Sequence, residues 1–346
     1  MELLTSVSPS TSDHRVHSTP ECSGLPPLPV DRGPLSAYVL ARLADRTVAV
    51  PGPVTSIDAL VDDDLQLALY LCYELHYGAL ADGGDALEWD PSLLELRAHL
   101  ESSFESALRA RIEVAPDVAV GDLVAALTSR VGGPSVSDFV RDEATVAQLR
   151  EYLVHRSAYQ LKEADPHTWV VPRLRGVPKQ RLVRIQAGEY GVDHGTRIHA
   201  ELFADTMDEL GLDQRPNAHL DVLPAVSLAI SNLASMLGLH RRWRGAAMGH
   251  LALSELTSVE AMERYVAGLD RLHLSSRAQR FFRVHVLADA EHSTLMIELL
   301  EALVGAEVEL HDDVAFGVGA ALAVESAFAT RVVAAWRRGA SSLRDD

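Results

Sequence analysis

The stretch "RFFRVHVLADAEHSTLMIELL", Arg280–Leu300, decides the fold. Its apolar residues Phe281, Phe282, Val284, Ala288, Leu295, Met296 and Leu299 recur with the period of a buried helix, not with strand alternation. Three polar residues interrupt that face. At about 100° per residue, His285, Asp289 and His292 fall within roughly 60° of one another, and Glu291 points elsewhere. A solvent-facing polar stripe is the simplest alternative, but the apolar neighbours argue against it. Two imidazoles and a carboxylate on a buried helix face are costly unless something partners them. A metal ion is the partner that suits this donor set.

Outward from this segment the same period dominates. "SIDALVDDDLQLALYLCYELHYGAL" reads as a helix with a cap at Ser56 and an acidic first turn. "DPSLLELRAHLESSFESALRARIE" reads as another, capped by Asp90 with Pro91 at the first helical position. Further helices are expected near 120–128, 135–142, 143–164, 177–190, 195–210, 221–237, 241–270, 275–305 and 312–338, with "DPHTWVVPRLRG" as an interruption. Strand-like alternation is nearly absent, so the expected class is all-α. Residues 1–35, rich in Ser, Pro and Thr, read as a disordered tail. Residues 36–135 read as N-terminal helices packed on a bundle core of residues 136–340.

Composition narrows the function. A formal net charge of −18 over 346 residues argues against nucleic acid, which needs clustered Lys and Arg. Cys22 lies in the tail and Cys72 in an apolar helix, so no disulfide framework is expected. No run of about 18 apolar residues stands out, and the N-terminus lacks a basic region followed by an apolar stretch. A cytoplasmic protein with no membrane partner is expected. Apolar faces on the N-terminal helices suggest a homodimer.

Four more polar residues sit where a bundle should be apolar. Glu255 has Met248, Leu251, Ala252 and Val259 as helical neighbours. Glu189 and His199 flank a break at Gly191 and Gly195, which lets two helical pieces aim them at one point. Glu163 ends a helix that Pro166 stops, and could instead pair with Arg173 or Arg175. His194 rivals His199. His250 reads as a core histidine, His167 and Asp165 as braces of a turn, and Tyr190 as either pocket lining or core. Arg241, Arg242 and Arg244 near Trp243 read as a solvated face before a substrate-binding one. Four carboxylates and three histidines are too many for one ion and about right for two, and oxygen and imidazole donors suit iron working with dioxygen. The Glu-x-x-His pairs of ferritin-like bundles occur nowhere in the chain.

Glu189, His199, Glu255 and His285-x-x-x-Asp289-x-x-His292, in that order, resemble the signature of the haem-oxygenase-like diiron oxidases, described as iron-containing redox enzymes. "YQLKEADPHTWVVPRLRG", "QAGEYG", "RIHAELFADTMDELGLD" and "RRWRGAAMGHLALSELTS" are similar too. Within that family the chain looks closest to the N-oxygenases of natural-product pathways, such as the central domain of the streptozotocin-pathway enzyme. The additional carboxylate of that subgroup matches Glu163, which lies 26 residues before Glu189. The resemblance implies a haem-oxygenase-like helical bundle. It implies two irons, O₂ and an external reductant, with Glu163, Glu189, His199, Glu255, His285, Asp289 and His292 as metal ligands and Glu163, Glu189 and Glu255 as catalytic carboxylates. The implied reaction is oxygenation of an amine or guanidine of a small amino-acid-like substrate, to a hydroxylamine or nitro group. The sequence ends at Asp346 without a cupin domain, so no N–N rearrangement is expected. Two alternatives stay open: cleavage of C–C, C–N or C–H bonds in an amino acid or fatty acid, and a non-catalytic iron-binding scaffold.

Overall fold

Thirteen α-helical segments, joined by short 3₁₀ turns, make up the described residues of the computed structural model, with no strand among them. Those residues are 24–52, 56–78, 80, 84–112, 117–130, 132–192 and 197–345. In chain order they are α1 (Pro34–Leu43), α2 (Asp63–Glu74), α3 (Pro91–Arg109), α4 (Leu123–Thr128), α5 (Val136–Asp142), α6 (Val146–Gln160), α7 (Asp165–Thr168) and α8 (Gly176–Glu189). Then follow α9 (His199–Glu209), α10 (Ala225–Leu239), α11 (Arg244–Arg271), α12 (Ser276–Ala306) and α13 (Leu310–Arg337).

Local chemistry sets the boundaries. Asp90 accepts from the Ser92 and Leu93 N–H groups with Pro91 at the first helical position, as expected. Thr145 and Gln148 form a reciprocal capping box on α6, and Ser275 caps α12. The expected cap at Ser56 is not used. Asp62, the first of three consecutive aspartates, accepts from the Leu65 N–H and starts α2. At Ser56, six residues before that aspartate, the chain has not yet turned helical.

Two helices are apolar nearly all round and occupy the centre. Every α2 residue from Leu65 to Glu74 is buried, as is α10 from Ala225 to Gly238. They pack on each other, and α10 also meets α6, α7, α11 and α13. The long helices α11, α12 and α13 build the remaining core, with α5 on α11 and both α8 and α9 on α12. Where α11 and α13 cross, a Cβ on Gly249 would overlap the Val314 carbonyl, and one on Gly317 the Ala246 carbonyl. Only glycine allows backbone to meet backbone there.

By length and composition α13 could cross a membrane, with a mean hydropathy of 1.5 over its most apolar window. That exceeds the expectation from sequence. Here Val314, Val318, Val324, Phe328 and Val332 spend that apolarity on the core. Of the stretch expected to be a tail, residues 1–23, including Cys22, lie outside the described residues. Residues 24–33 are tied down: the Val30 N–H donates to Asp221 Oδ1 at 2.7 Å, and Arg32 donates to the Leu220 carbonyl. The α1 helix then begins at Pro34.

Candidate metal centre

Five chain segments deliver seven polar side chains to one point in the core. Glu163 follows the last turn of α6. Glu189 is the final residue of α8, where Tyr190 caps the helix and Gly191 turns the chain away in the left-handed region (φ 71°). His199 is the first residue of α9. Glu255 comes from α11, and His285, Asp289 and His292 from one face of α12. His194 lies outside the described residues.

The seven form two overlapping groups. Donor atoms of Glu163, Glu189, His199 and His285 lie within 4.8 Å of one another, and so do those of Glu189, Asp289 and His292. Glu189 belongs to both. Its Oε2 lies 2.8 Å from His199 Nδ1, and its Oε1 lies 3.4 Å from His292 Nδ1. Glu255 Oε2 joins the second group at 3.2 Å from His292 Nδ1. His285 donates from Nδ1 to the Phe281 carbonyl at 2.9 Å, which aims Nε2 at the centre.

No side chain in this set is more than 11% exposed, so the charges act on one another strongly. Burial raises Glu189, but the hydrogen bond from His199 and the charges of the three histidines bring it down to about 2. Burial pushes Asp289 up to about 7, with Glu255 and Glu189 adding to the rise and His285 opposing it. Burial and Glu189 raise Glu255 against the hydrogen bond from His292. Burial alone would lower both α12 histidines. Glu163, Asp289 and Glu189 instead hold His285 well above its ordinary value, and Glu255, Glu189 and Asp289 hold His292 at about 9. The four acids thus raise the proton affinity of both imidazoles.

Glu163 supplies the clearest sign that the set is incomplete. Its Oε1 is buried with no hydrogen-bond partner, 3.4 Å from His285 Nε2 and 4.0 Å from His199 Nδ1. A buried carboxylate oxygen with only long contacts to two imidazoles fits a site built to take a cation. Arg173, weighed as its partner, donates instead to the carbonyls of Gly238 and Leu239. The oxygen and imidazole donors fit divalent iron or manganese. His167 and His250 pair with each other at 3.1 Å outside both groups, and the Tyr190 hydroxyl donates to Asp165. Arg242 stacks on Trp243 and pairs with Glu105, and Arg244 pairs with Glu307, so these arginines are engaged away from the centre.

A chamber of about 530 Å³ opens from the carboxylates, a volume suited to a small metabolite. Tyr152, Arg156, Tyr159, Gln160, Gln186 and Glu325 are among its walls. A second cavity of about 600 Å³, walled by Ile112, Leu127, Val226 and Leu322, contains none of the seven residues.

Sequence reasoning missed the lining residues and Gly188. A Cβ on Gly188 would lie 2.5 Å from His292 Nε2, so this glycine lets α8 press against the ligand set. The available signal was a glycine inside a helix, which costs about 1 kcal/mol and calls for a packing reason.

Comparison with protein-family models matches residues 150–326 to the family described as iron-containing redox enzyme. The matched span contains all seven polar residues. No curated protein matches the chain.

Proposed function

The chain belongs to the iron-containing redox enzyme family, and from that premise we propose that it is a non-haem diiron oxygenase acting on a nitrogen of a small polar substrate. The observation that carries the two-metal reading is Glu189, whose carboxylate belongs to both donor groups. Charge supports it as well. Four carboxylates carry −4 when ionised, the amount two divalent cations neutralise, and the histidines then bind as neutral ligands. Glu163, Glu189, His199 and His285 would hold one ion. Asp289, His292 and Glu255, together with Glu189, would hold the other.

Bound ferrous iron supplies the redox chemistry by which dioxygen is activated. The reaction balances when one oxygen atom goes to the amine nitrogen and the other leaves as water, with two electrons and two protons drawn from an external reductant. The residues of the chain bind, orient and exclude water. Tyr159 lines the chamber, and burial together with Glu163, Glu189 and Glu255 keeps its phenol protonated. It can therefore donate a hydrogen bond beside the carboxylates.

The lining favours a polar substrate over an acyl chain. Arg156 Nε, Gln160 Oε1 and Gln186 Oε1 are buried on chamber residues without hydrogen-bond partners, like Glu163 Oε1. An alkyl chain would also cover the carboxylates of Glu325, Glu163 and Glu189 in the wall without pairing them, at a cost of about 1–3 kcal/mol each. A molecule with its own donors and acceptors would satisfy them.

The test is incubation of the Fe(II)-loaded protein with reductant, ¹⁸O₂ and a panel of amines and amino acids, read by mass spectrometry. One ¹⁸O on nitrogen is expected. Label confined to water, or found only in products of C–C or C–H cleavage, overturns the proposal. Iron content near one per chain or below would remove the two-metal basis.

A further inference from the structure

We propose that the second cavity, of about 600 Å³, is a binding site for an amphipathic organic anion, with the acid group on Arg331 and the apolar body laid along α13. This goes beyond the reaction proposed above and does not depend on it. The cavity shares Leu322 and Ser326 with the reaction chamber but contains none of the metal-site residues, so its occupant is a ligand additional to the substrate.

The register of α13 shapes the cavity. Gly319, Ala323, Ala327 and Arg331 recur every fourth residue along one stripe and all line the space. Three small residues in a row leave room above the helix, and Ile112, Leu127 and Val226 supply further apolar wall. One end is shut: a Cβ on Gly319 would lie 2.7 Å from Ile112 Cγ2, so that side chain already rests on the helix there. The other end is polar and open, where Thr330 and Arg331 are exposed.

The charges of the wall select the sign of the ligand. Arg111, Arg130 and Arg331 border the cavity against one acid, Asp63, in a chain whose net charge is −18. Asp63 is already engaged. It accepts from the Ala225 N–H at 2.6 Å and lies 3.7 Å from Arg32 and 3.5 Å from Arg344. Arg111 pairs with Asp58. Arg331 differs from it. Its Nε donates to the Ser342 carbonyl at 3.2 Å, and no carboxylate among the described residues pairs with it. Ser342 is itself fixed: its N–H and hydroxyl donate to Glu151 Oε2 at 2.9 and 2.6 Å, and its hydroxyl meets His155 Nε2 at 2.9 Å. The guanidinium is thus held by one edge, and its two terminal nitrogens are left for a carboxylate, which accepts two parallel N–H bonds.

Length follows from the same register. Ala323 and Arg331 are eight residues apart, roughly 12 Å along the axis. A hydrogen-bond contact at the head takes up about 3 Å of that. An extended chain of roughly eight carbons, or two fused rings, fills the rest.

The test is calorimetric titration of metal-free protein and of Fe(II)-loaded protein under anaerobic conditions. The probes are octanoate and 2-naphthoate, which distinguish an alkyl from an aryl body, with octylammonium and acetate as controls for charge and for the body. At least one of the two long anions is expected to bind as a single molecule per chain, by about tenfold or more over both controls, with the same affinity whether or not iron is bound. Arg331→Glu, at an exposed position, is expected to weaken that binding by about tenfold or more. Ala327→Phe fills this cavity without entering the chamber wall, and is expected to weaken it likewise while iron content stays unchanged. Circular dichroism melts check that each variant folds. No binding of either long anion, octylammonium binding as tightly, or affinity that survives Arg331→Glu overturns the proposal. Binding that appears only after iron loading does so too, since it would seat the anion on the metal centre.

Discussion

Two sets of buried histidines lie within one bundle and behave oppositely. His155, on α6, hydrogen-bonds Ser227 Oγ at 2.7 Å and Ser342 Oγ at 2.9 Å. His167 and His250 hydrogen-bond each other. Burial drives these three down, to about 3, 3 and 4. They are neutral, partnered and inert. Buried as deeply, His285 and His292 are instead pushed up by the carboxylates around them. Burial therefore does not mark a ligand histidine. Uncompensated carboxylates beside it do, because their charge must be met by protons or by metal.

The largest break in this comparison is expected from His285→Ala or Asp289→Ala. With the two irons proposed above, either should lower bound iron toward one per chain or none and reduce turnover by on the order of a hundredfold or more. Elemental analysis and O₂ consumption read both effects. Gly188→Ala comes next. Its new Cβ would displace the His292 ring, costing about 1–3 kcal/mol and weakening the half-site of Asp289 and His292 in a metal titration. His250→Gln should affect the other set alone: a loss of about 1–3 kcal/mol in a denaturant melt, from the broken pair with His167, with iron content unchanged. Iron loss in that variant would erase the distinction between the sets.

The smallest expected effect is on pH dependence. In metal-free protein, His292 at about 9 against an ordinary 6.5 contributes stability that is full below pH 6.5 and lost as pH climbs through 9. Asp289, raised from 3.8 to about 7, acts in the same direction, since the fold favours its protonated form. Raising the pH from 7 to 9.5 should lower the metal-free Tm by on the order of 5 °C. Metal loading should flatten that slope, because bound ions replace the protons. A metal-free Tm that rises over this window would contradict the charge balance of the centre.

Much of this arrangement was legible in sequence. The helical period placed α8 to α13 within a few residues of their bounds. His285, Asp289, His292 and Glu255 stood out against apolar neighbours, whereas Glu163, Glu189 and His199 needed the resemblance to single them out. Other features were hidden. Asp62, Asp63 and Asp64 are equivalent as letters, and only the helix start shows which one caps. Nothing in the letters of α6 shows that Arg156 turns inward to Glu325 and Phe328. Gly188 reads as a weak point in a helix until α12 is seen against it. In each case the missing information was which face of which helix meets the partner.

The glycine crossing of α11 and α13 has a consequence for discrimination. Glu255 and Glu325 each lie about two turns beyond Gly249 and Gly317, where the two backbones touch. No side-chain repacking at that crossing can widen the separation between them. For a substrate seated between them, the bundle would act as a caliper with fixed jaws. Across a homologous series of substrates, activity should peak sharply at one chain length and fall on both sides.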